Sequence, residues 1–277
     1  MPLQQEIEQF YDAPIASLDR TRALKSFHEL LFFLDHGEIR AAECKSGAWQ
    51  VHVWVKKGIL LGFRLGAVED LSINTRFRYF DKATFPLKKL TVEDAVRVVP
   101  GGSSIREGAY VAHGVVCMPP MYINVGAYVD EGSMIDSHAL VGSCAQIGKR
   151  VHLSAASQIG GVLEPVGALP VVIEDDVFIG GNCGIYEGAM VQSGAVIAAG
   201  VILTGGTVVY DAVKNTTYRK DGMKPLVIPS NAVVVPGNRP MQGEWAKAQG
   251  LSVSTPIIVK YRDAKTDAST TLEESLR

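Results

Sequence analysis

The stretch AYVDEGSMIDSHALVGSCAQIG, residues 127–148, repeats with a period that neither a helix nor an ordinary strand has. Val129, Ile135, Val141 and Ile147 stand six apart, and Gly, Asp and Ser crowd the gaps. A helix returns its buried face about every 3.6 residues and a strand about every 2. Followed outward, the register runs unbroken through Ile105, Val111, Cys117, Ile123, Val129, Ile135, Val141, Ile147, Leu153 and Ile159. Ile159 and Ile173 are two residues further apart than two hexads, which marks an insertion near 160–172. The register then continues through Ile179, Ile185, Val191, Ile197, Leu203 and Val209. A second insertion, 211–227, carries Lys214, Arg219, Lys220 and Lys224 before Ile228 and Val234 resume the pattern.

The residue four past each aliphatic is usually small or apolar: Ala109, Val115, Ala127, Ser133, Ala139, Ala145, Val151, Ser157. Each hexad therefore reads as a short strand plus a tight corner. The aliphatic points inward, the small residue fits the corner, and Gly or Asn supplies positive φ where the chain turns. Three hexads close one triangular coil, and the coils stack as parallel strands into a solenoid. The nineteen hexad positions named above make about six coils. The period does not fix their handedness. A solenoid needs caps, and the helical N-terminus and the stretch after residue 239 are the candidates.

Outside the repeat, residues 1 to about 48 read as helical. TRALKSFHELLFFLDHG, 21–37, sets Leu24, Phe27, Leu30, Leu31 and Leu34 on one stripe, and Gly37 stops it. WQVHVWV, 49–55, alternates like a strand, and a helix is expected beyond Lys56. Thr91 followed by Glu93, Asp94 and Ala95 predicts a short helical turn, and Pro100-Gly101-Gly102 marks a boundary. The expected division is an N-terminal helical domain at 1–100, a solenoid at 101–239 and a C-terminal region at 240–277. Within the last, STPIIVKYRD, 254–263, reads as a strand.

Composition excludes several functions. A net charge of −2 and a pI near 6.3 do not favour nucleic acid or an acidic membrane as partner. No apolar run is long enough to span a bilayer, and the N-terminus, MPLQQEIEQFYD, is not a signal peptide. Cys44, Cys117, Cys144 and Cys183 form no CxxC pair, so a reducing, cytoplasmic setting is the expectation. GSCAQIGK, 142–149, only imitates a phosphate loop: its glycines are one residue too far apart, and Arg150 stands where Ser or Thr should be.

MYINVGAYVDEGSMIDSHALVGSCAQIGKRVHLS (121–154) and IGGVLEPVGALPVVIEDDVFIGG (159–181) resemble the tetrahydrodipicolinate N-succinyltransferases of lysine and diaminopimelate biosynthesis. WVKKGILLGFR, RYFDK, RVVP, VIPSNAVVVPGNRP and KYRDAKT are similar to that family too, so the resemblance covers nearly the whole chain. It implies a mainly β protein, a left-handed parallel β-helix of hexapeptide repeats with an N-terminal mostly α-helical domain and a short C-terminal strand region. It further implies a homotrimer with active sites in clefts between neighbouring coils. The implied reaction moves succinyl from succinyl-CoA to the amino group of opened tetrahydrodipicolinate, giving N-succinyl-2-amino-6-oxopimelate. An acetyl-CoA enzyme of the same pathway, or one acting on an amino sugar nucleotide, is the alternative.

A thioester is already activated, so this chemistry requires no metal. It needs a base for the amine proton, N–H donors for the tetrahedral oxyanion and cations for a dicarboxylate. Asp136 follows an inward Ile where small residues are commoner. A corner Asp can cap amides, but the resemblance implies that Asp136 orients the acceptor and takes its proton. Asp130 and Glu131, one hexad earlier, read as corner or solvated residues. Arg97, in RVVP, matches an arginine that the family uses for the acceptor's carboxylate. One departure stands out. In much of the family a second catalytic Glu lies shortly after FIG, and in FIGGNCGIYEG that place is Gly184. Glu187 is the nearest carboxylate and the candidate replacement.

His113, His138 and His152 fall at different places in their hexads, and His138 is the best placed of them as a base. Convergence of three histidines on zinc, as in a hexapeptide carbonic anhydrase, is disfavoured by the 14-residue gap between the nearest pair. For CoA, IAAGVILTGG offers Ala198, Ala199, Gly200, Gly205 and Gly206 as a narrow groove, with the amide near Gly200 as oxyanion donor. Lys214, Arg219, Lys220 and Lys224 are candidates for the CoA phosphates. The loop around Glu164-Pro165 is expected to cover a neighbouring subunit's cleft, by analogy to the family.

Overall fold

The computed structural model describes residues 2–222 and 224–263. Residues 264–277, which include the end of KYRDAKT, lie outside the described residues.

The hexads form the expected parallel β-helix. Two-residue strands stack on three faces. The first face runs Ser104–Ile105, Tyr122–Ile123, Leu140–Val141, Gln158–Ile159, Gly184–Ile185 and Ile202–Leu203. The second runs Tyr110–Val111, Tyr128–Val129, Gln146–Ile147, Val172–Ile173, Met190–Val191 and Val227–Ile228. The third starts at Arg97–Val98, below residue 101, and climbs through Val116–Cys117, Met134–Ile135, His152–Leu153, Phe178–Ile179 and Val196–Ile197. All nineteen hexad aliphatics or cysteines are at most 7% exposed and belong to one core. Each rung is held by backbone bonds to the next, such as Met134 N to Val151 O (2.8 Å) and Asp136 N to Leu153 O (3.0 Å).

The N-terminal region differs from the expectation in two places. Helices α1 (Leu3–Asp12), α2 (Arg20–Asp35) and α3 (Val53–Leu65) are present, with Asp19 capping α2 through the Arg22 amide. Residues 42–51 form an antiparallel hairpin, however, and the alternation at 49–55 ends in helix from Val53. The hairpin has a tertiary purpose that local alternation does not report. It docks on the second face, where Arg40 lies 3.6 Å from the Tyr128 ring centroid and Trp49 Nε1 donates to Glu174 Oε1 (3.0 Å). Thr91 opens a single helical turn, Val92–Asp94, as expected.

The capping differs as well. The helices pack beside the solenoid, around Val125 and Cys144 at a corner, and do not plug its end. Its base is covered by the chain leading into it: Leu90 and Val96 pack on the core and Lys88 N donates to Ile105 O (2.8 Å). The top is closed by the long antiparallel pair Ala232–Pro240 and Ser252–Tyr261, with Val209–Asp211 and Thr216–Tyr218 alongside. Fully buried Lys56 ties the first insertion to α3 by donating from Nζ to Ala168 O (2.5 Å), and burial pushes its pKa down. No described helix is long and apolar enough to cross a membrane.

Ile135 is fully buried between rungs. Ile135→Ala is expected to cost about 2–5 kcal/mol in denaturant unfolding. A loss within error of zero would contradict the inward packing.

Candidate active site

The corner between the third and first faces collects the main candidate residues into one column. Successive coils place Asp136–Ser137–His138, Ser154–Ala155–Ala156, Gly180–Gly181–Asn182 and Ala198–Ala199–Gly200 there. The column is laced by His138 N to Pro120 O (2.6 Å), Ala156 N to Ser137 O (2.8 Å), Asn182 N to Ala155 O (3.0 Å) and Gly200 N to Gly181 O (3.0 Å). Neighbouring rungs stand about 4.8 Å apart, so Asp136 and the Ala198–Gly200 corner are about 14 Å apart along the axis.

Asp136 combines a corner role with an open group. Its Oδ1 accepts from the Ser137 amide (2.6 Å), while Oδ2 has no partner among the described residues. His138 turns the corner at φ 62 and is exposed. It borders a shallow cavity of about 400 Å³ on the first face, with Ser104, Tyr122, Leu140 and Gln158. Arg97 is two rungs below Met134 on the adjoining third face, exposed and without a side-chain partner among the described residues.

The Gly200 amide corrects one expectation. It donates to Gly181 O and serves the corner ladder. Ala199 is an exposed residue, and its amide has no hydrogen-bond partner among the described residues. Ala198 is engaged on both sides, with N donating to Val234 O (2.8 Å) and O accepting from Val201 N (3.3 Å).

Glu187 is not brought to Asp136. It occupies the opposite corner, between the first and second faces, at φ 54, and its Oε2 accepts from the Gly205 amide (2.6 Å). Gly205 is thus joined to Glu187 and not to the Ala198–Gly200 corner. Lys214 lies in the second insertion, its amide on Asp211 Oδ1 (2.9 Å) and its ammonium 4.1 Å from the Tyr261 ring centroid. Burial works to raise the Asp211 carboxyl, but bonds from the Lys214 and Val213 amides and the Tyr261 hydroxyl outweigh it and leave its pKa lowered. Lys220 is exposed near the end of the same hairpin.

The remaining carboxylates and histidines scatter. Asp130 Oδ1 accepts from the Glu131 amide (2.8 Å), and Glu131 pairs with Lys149 (3.0 Å), which holds its carboxyl below the usual range. His113 is exposed, 3.8 Å from Glu131, while His152 is buried on the third face against Phe178, ring centroids 4.8 Å apart. No group of three His, Cys, Asp or Glu suited to a metal occurs among the described residues.

Sequence reasoning missed Tyr186, whose ring lies on the first face over Gly184. The available signal was an aromatic residue where the equivalent corner places hold Arg106, Asn124, Gly142, Gly160 and Thr204.

The comparisons agree along the chain. Residues 2–65 match the family described as tetrahydrodipicolinate N-succinyltransferase N-terminal, and residues 170–205 the hexapeptide repeat of succinyl-transferase. A protein of Aromatoleum aromaticum named 2,3,4,5-tetrahydropyridine-2,6-dicarboxylate N-succinyltransferase is 44% identical over 88% of this chain and 86% of its own length. A protein of Psychrobacter with the same name is 41% identical over 100% and 99%. The chain belongs to the tetrahydrodipicolinate N-succinyltransferase family.

Another member of this family, from Burkholderia mallei, is 45% identical over 88% of the chain. A solved structure from Campylobacter jejuni, titled a putative 2,3,4,5-tetrahydropyridine-2-carboxylate N-succinyltransferase, has a TM-score of 0.49 and 15% identity. It matches 84% of this chain, which spans 62% of that one.

Within the family frame, Glu187 reads as a corner brace. Glu187→Ala is expected to lower the melting temperature while turnover changes far less than the ~10²-fold or greater loss typical of a missing general base. A turnover loss on that scale with unchanged melting would make Glu187 part of the chemistry.

Proposed function

We propose that this chain transfers the succinyl group of succinyl-CoA to the amino group of opened tetrahydrodipicolinate. The observation that carries the reading is identity of 41–45% to proteins named for this activity, over 88–100% of the chain. The open Oδ2 of Asp136, on the corner column, supports it chemically.

In this reading the acceptor amine lies against Asp136 and its carboxylate is met by Arg97. The neutral amine attacks the thioester carbonyl and its proton passes to Asp136 Oδ2. The C–S bond then breaks, and the CoA thiolate leaves as thiol with that proton. The pantetheine arm runs past Ala198, Ala199 and Gly200 and carries the thioester down the corner column to the amine at Asp136. Lys214 and Lys220 are placed for the CoA phosphates, with Lys214 released from the Tyr261 ring. Gly205 and Glu187 shape the neighbouring corner. No step in this scheme calls on a metal.

The proposal includes a homotrimer with the first face turned toward a neighbour, where Ile202, 47% exposed, would be covered. It also includes the division at 1–100, 101–239 and 240–277, and a cytoplasmic location.

The test is thiol release by purified protein with tetrahydrodipicolinate, comparing succinyl-CoA with acetyl-CoA. The expected result is strong, acceptor-dependent turnover with succinyl-CoA. Preference for acetyl-CoA would change the donor, and no release with either would remove the proposed reaction. Asp136→Asn should lower kcat by about 10²-fold or more with the fold intact. Near wild-type turnover would take Asp136 out of the mechanism. Arg97→Ala should raise the acceptor's KM above all. A change confined to the CoA donor's KM would contradict its assignment.

A further inference from the structure

Tyr186 fills a space that two glycines leave open. A Cβ on Gly184 would lie 2.4 Å from Tyr186 Cε2, 2.8 Å from its hydroxyl oxygen and 2.9 Å from Cζ. A Cβ on Gly160, one rung down, would lie 2.8 Å from Tyr186 Cδ1. The ring therefore runs back from its own corner, across the outer surface of the first face. Its hydroxyl sits over Gly184, the strand residue nearer the corner column. The phenol is partly exposed, and no group among the described residues hydrogen-bonds it.

The position along the axis gives this group a task. The Gly184 rung lies between the rungs of Gln158 and Ile202, one below the coil of Ala198–Gly200 and two above that of Asp136. This level lies between the Ala198–Gly200 corner and Asp136, on the path the thioester takes down the column to the amine. A phenol at neutral pH is an uncharged O–H donor. The other outward strand residues of this face, Ser104, Tyr122, Leu140, Gln158 and Ile202, carry no charge.

We propose that the Tyr186 hydroxyl donates a hydrogen bond to the thioester carbonyl oxygen as it becomes an oxyanion, and that Gly184 and Gly160 lack side chains to admit the ring. The inference rests on the acyl-transfer reading above. As the amine nitrogen bonds to the carbonyl carbon, the C=O π pair moves to oxygen. It returns as the C–S bond breaks. The amine proton goes to Asp136 and leaves on the thiol, so amine plus thioester gives amide plus thiol. Tyr186 keeps its own proton throughout.

Tyr186→Phe retains the ring over both glycines and removes only the hydroxyl. Its kcat is expected to fall about 10²-fold, the lower end for loss of one oxyanion donor, with both KM values and the melting temperature nearly unchanged. Gly184→Ala pushes a methyl into the ring and should lose kcat similarly. The double variant should be no worse than either single one, because both act on the same hydroxyl. A Tyr186→Phe enzyme with wild-type kcat would overturn the inference. So would a rise in acceptor KM alone, which would mean a contact to the acceptor's carboxylate. Fully additive losses in the double variant would separate Gly184 from the hydroxyl and overturn it as well. Wild-type protein inactive with every donor would instead sink the acyl-transfer reading on which it stands.

Discussion

Everything in this molecule depends on the stacking of one coil on the next. Backbone bonds hold successive rungs about 4.8 Å apart, and each rung turns one aliphatic side chain into a shared core. Because Ile135 must sit above Cys117 and below Leu153, the chain has no freedom to slide. A residue's place in its hexad then decides its face, its corner and its neighbours in adjoining coils. Function can be written only in the outward and corner places. Residues far apart in sequence, such as Asp136 and Ala199, share an edge because they share a hexad register.

The same geometry separates residues that sequence proximity suggests are partners. Glu187 is three residues from Gly184, yet that distance carries it round to another corner, where Gly205 occupies its carboxylate. Asp136 closes its corner with one oxygen on the Ser137 amide, and the other has no partner among the described residues. The insertions are held from outside the solenoid. Lys56 reaches the first from α3, and Asp211 with Tyr261 anchors the base of the second.

The solenoid was legible because six-residue periodicity has few other physical solutions, and every expected inward position from Ile105 to Val234 is buried. The hairpin at 42–51 was not legible, because it exists for Trp49 and Arg40 to reach Glu174 and Tyr128, contacts that span the chain. The stretch after residue 239 does close the top, but the helical cap was misplaced for a similar reason: apolar stripes on α2 say that it packs, not on what. Asp136 and Arg97 entered the proposed site from residues that match a family pattern. The engaged Gly200 amide and the ring of Tyr186 over Gly184 required the backbone of adjoining coils. The aromatic at a corner place otherwise held by small or polar residues was a visible sign of the latter.

The central claim is that acyl transfer takes place along the corner column between the third and first faces. Its most direct test is a crystal structure of the protein with CoA and an unreactive dicarboxylate analogue of the acceptor. The expected result is the pantetheine arm running along the column past Ala198–Gly200, with the acceptor's nitrogen against Asp136 Oδ2 and the CoA sulfur within reach of that nitrogen. Ligands seated instead on the second face, in the cavity lined by Trp49, Met190 and Arg219, would contradict it.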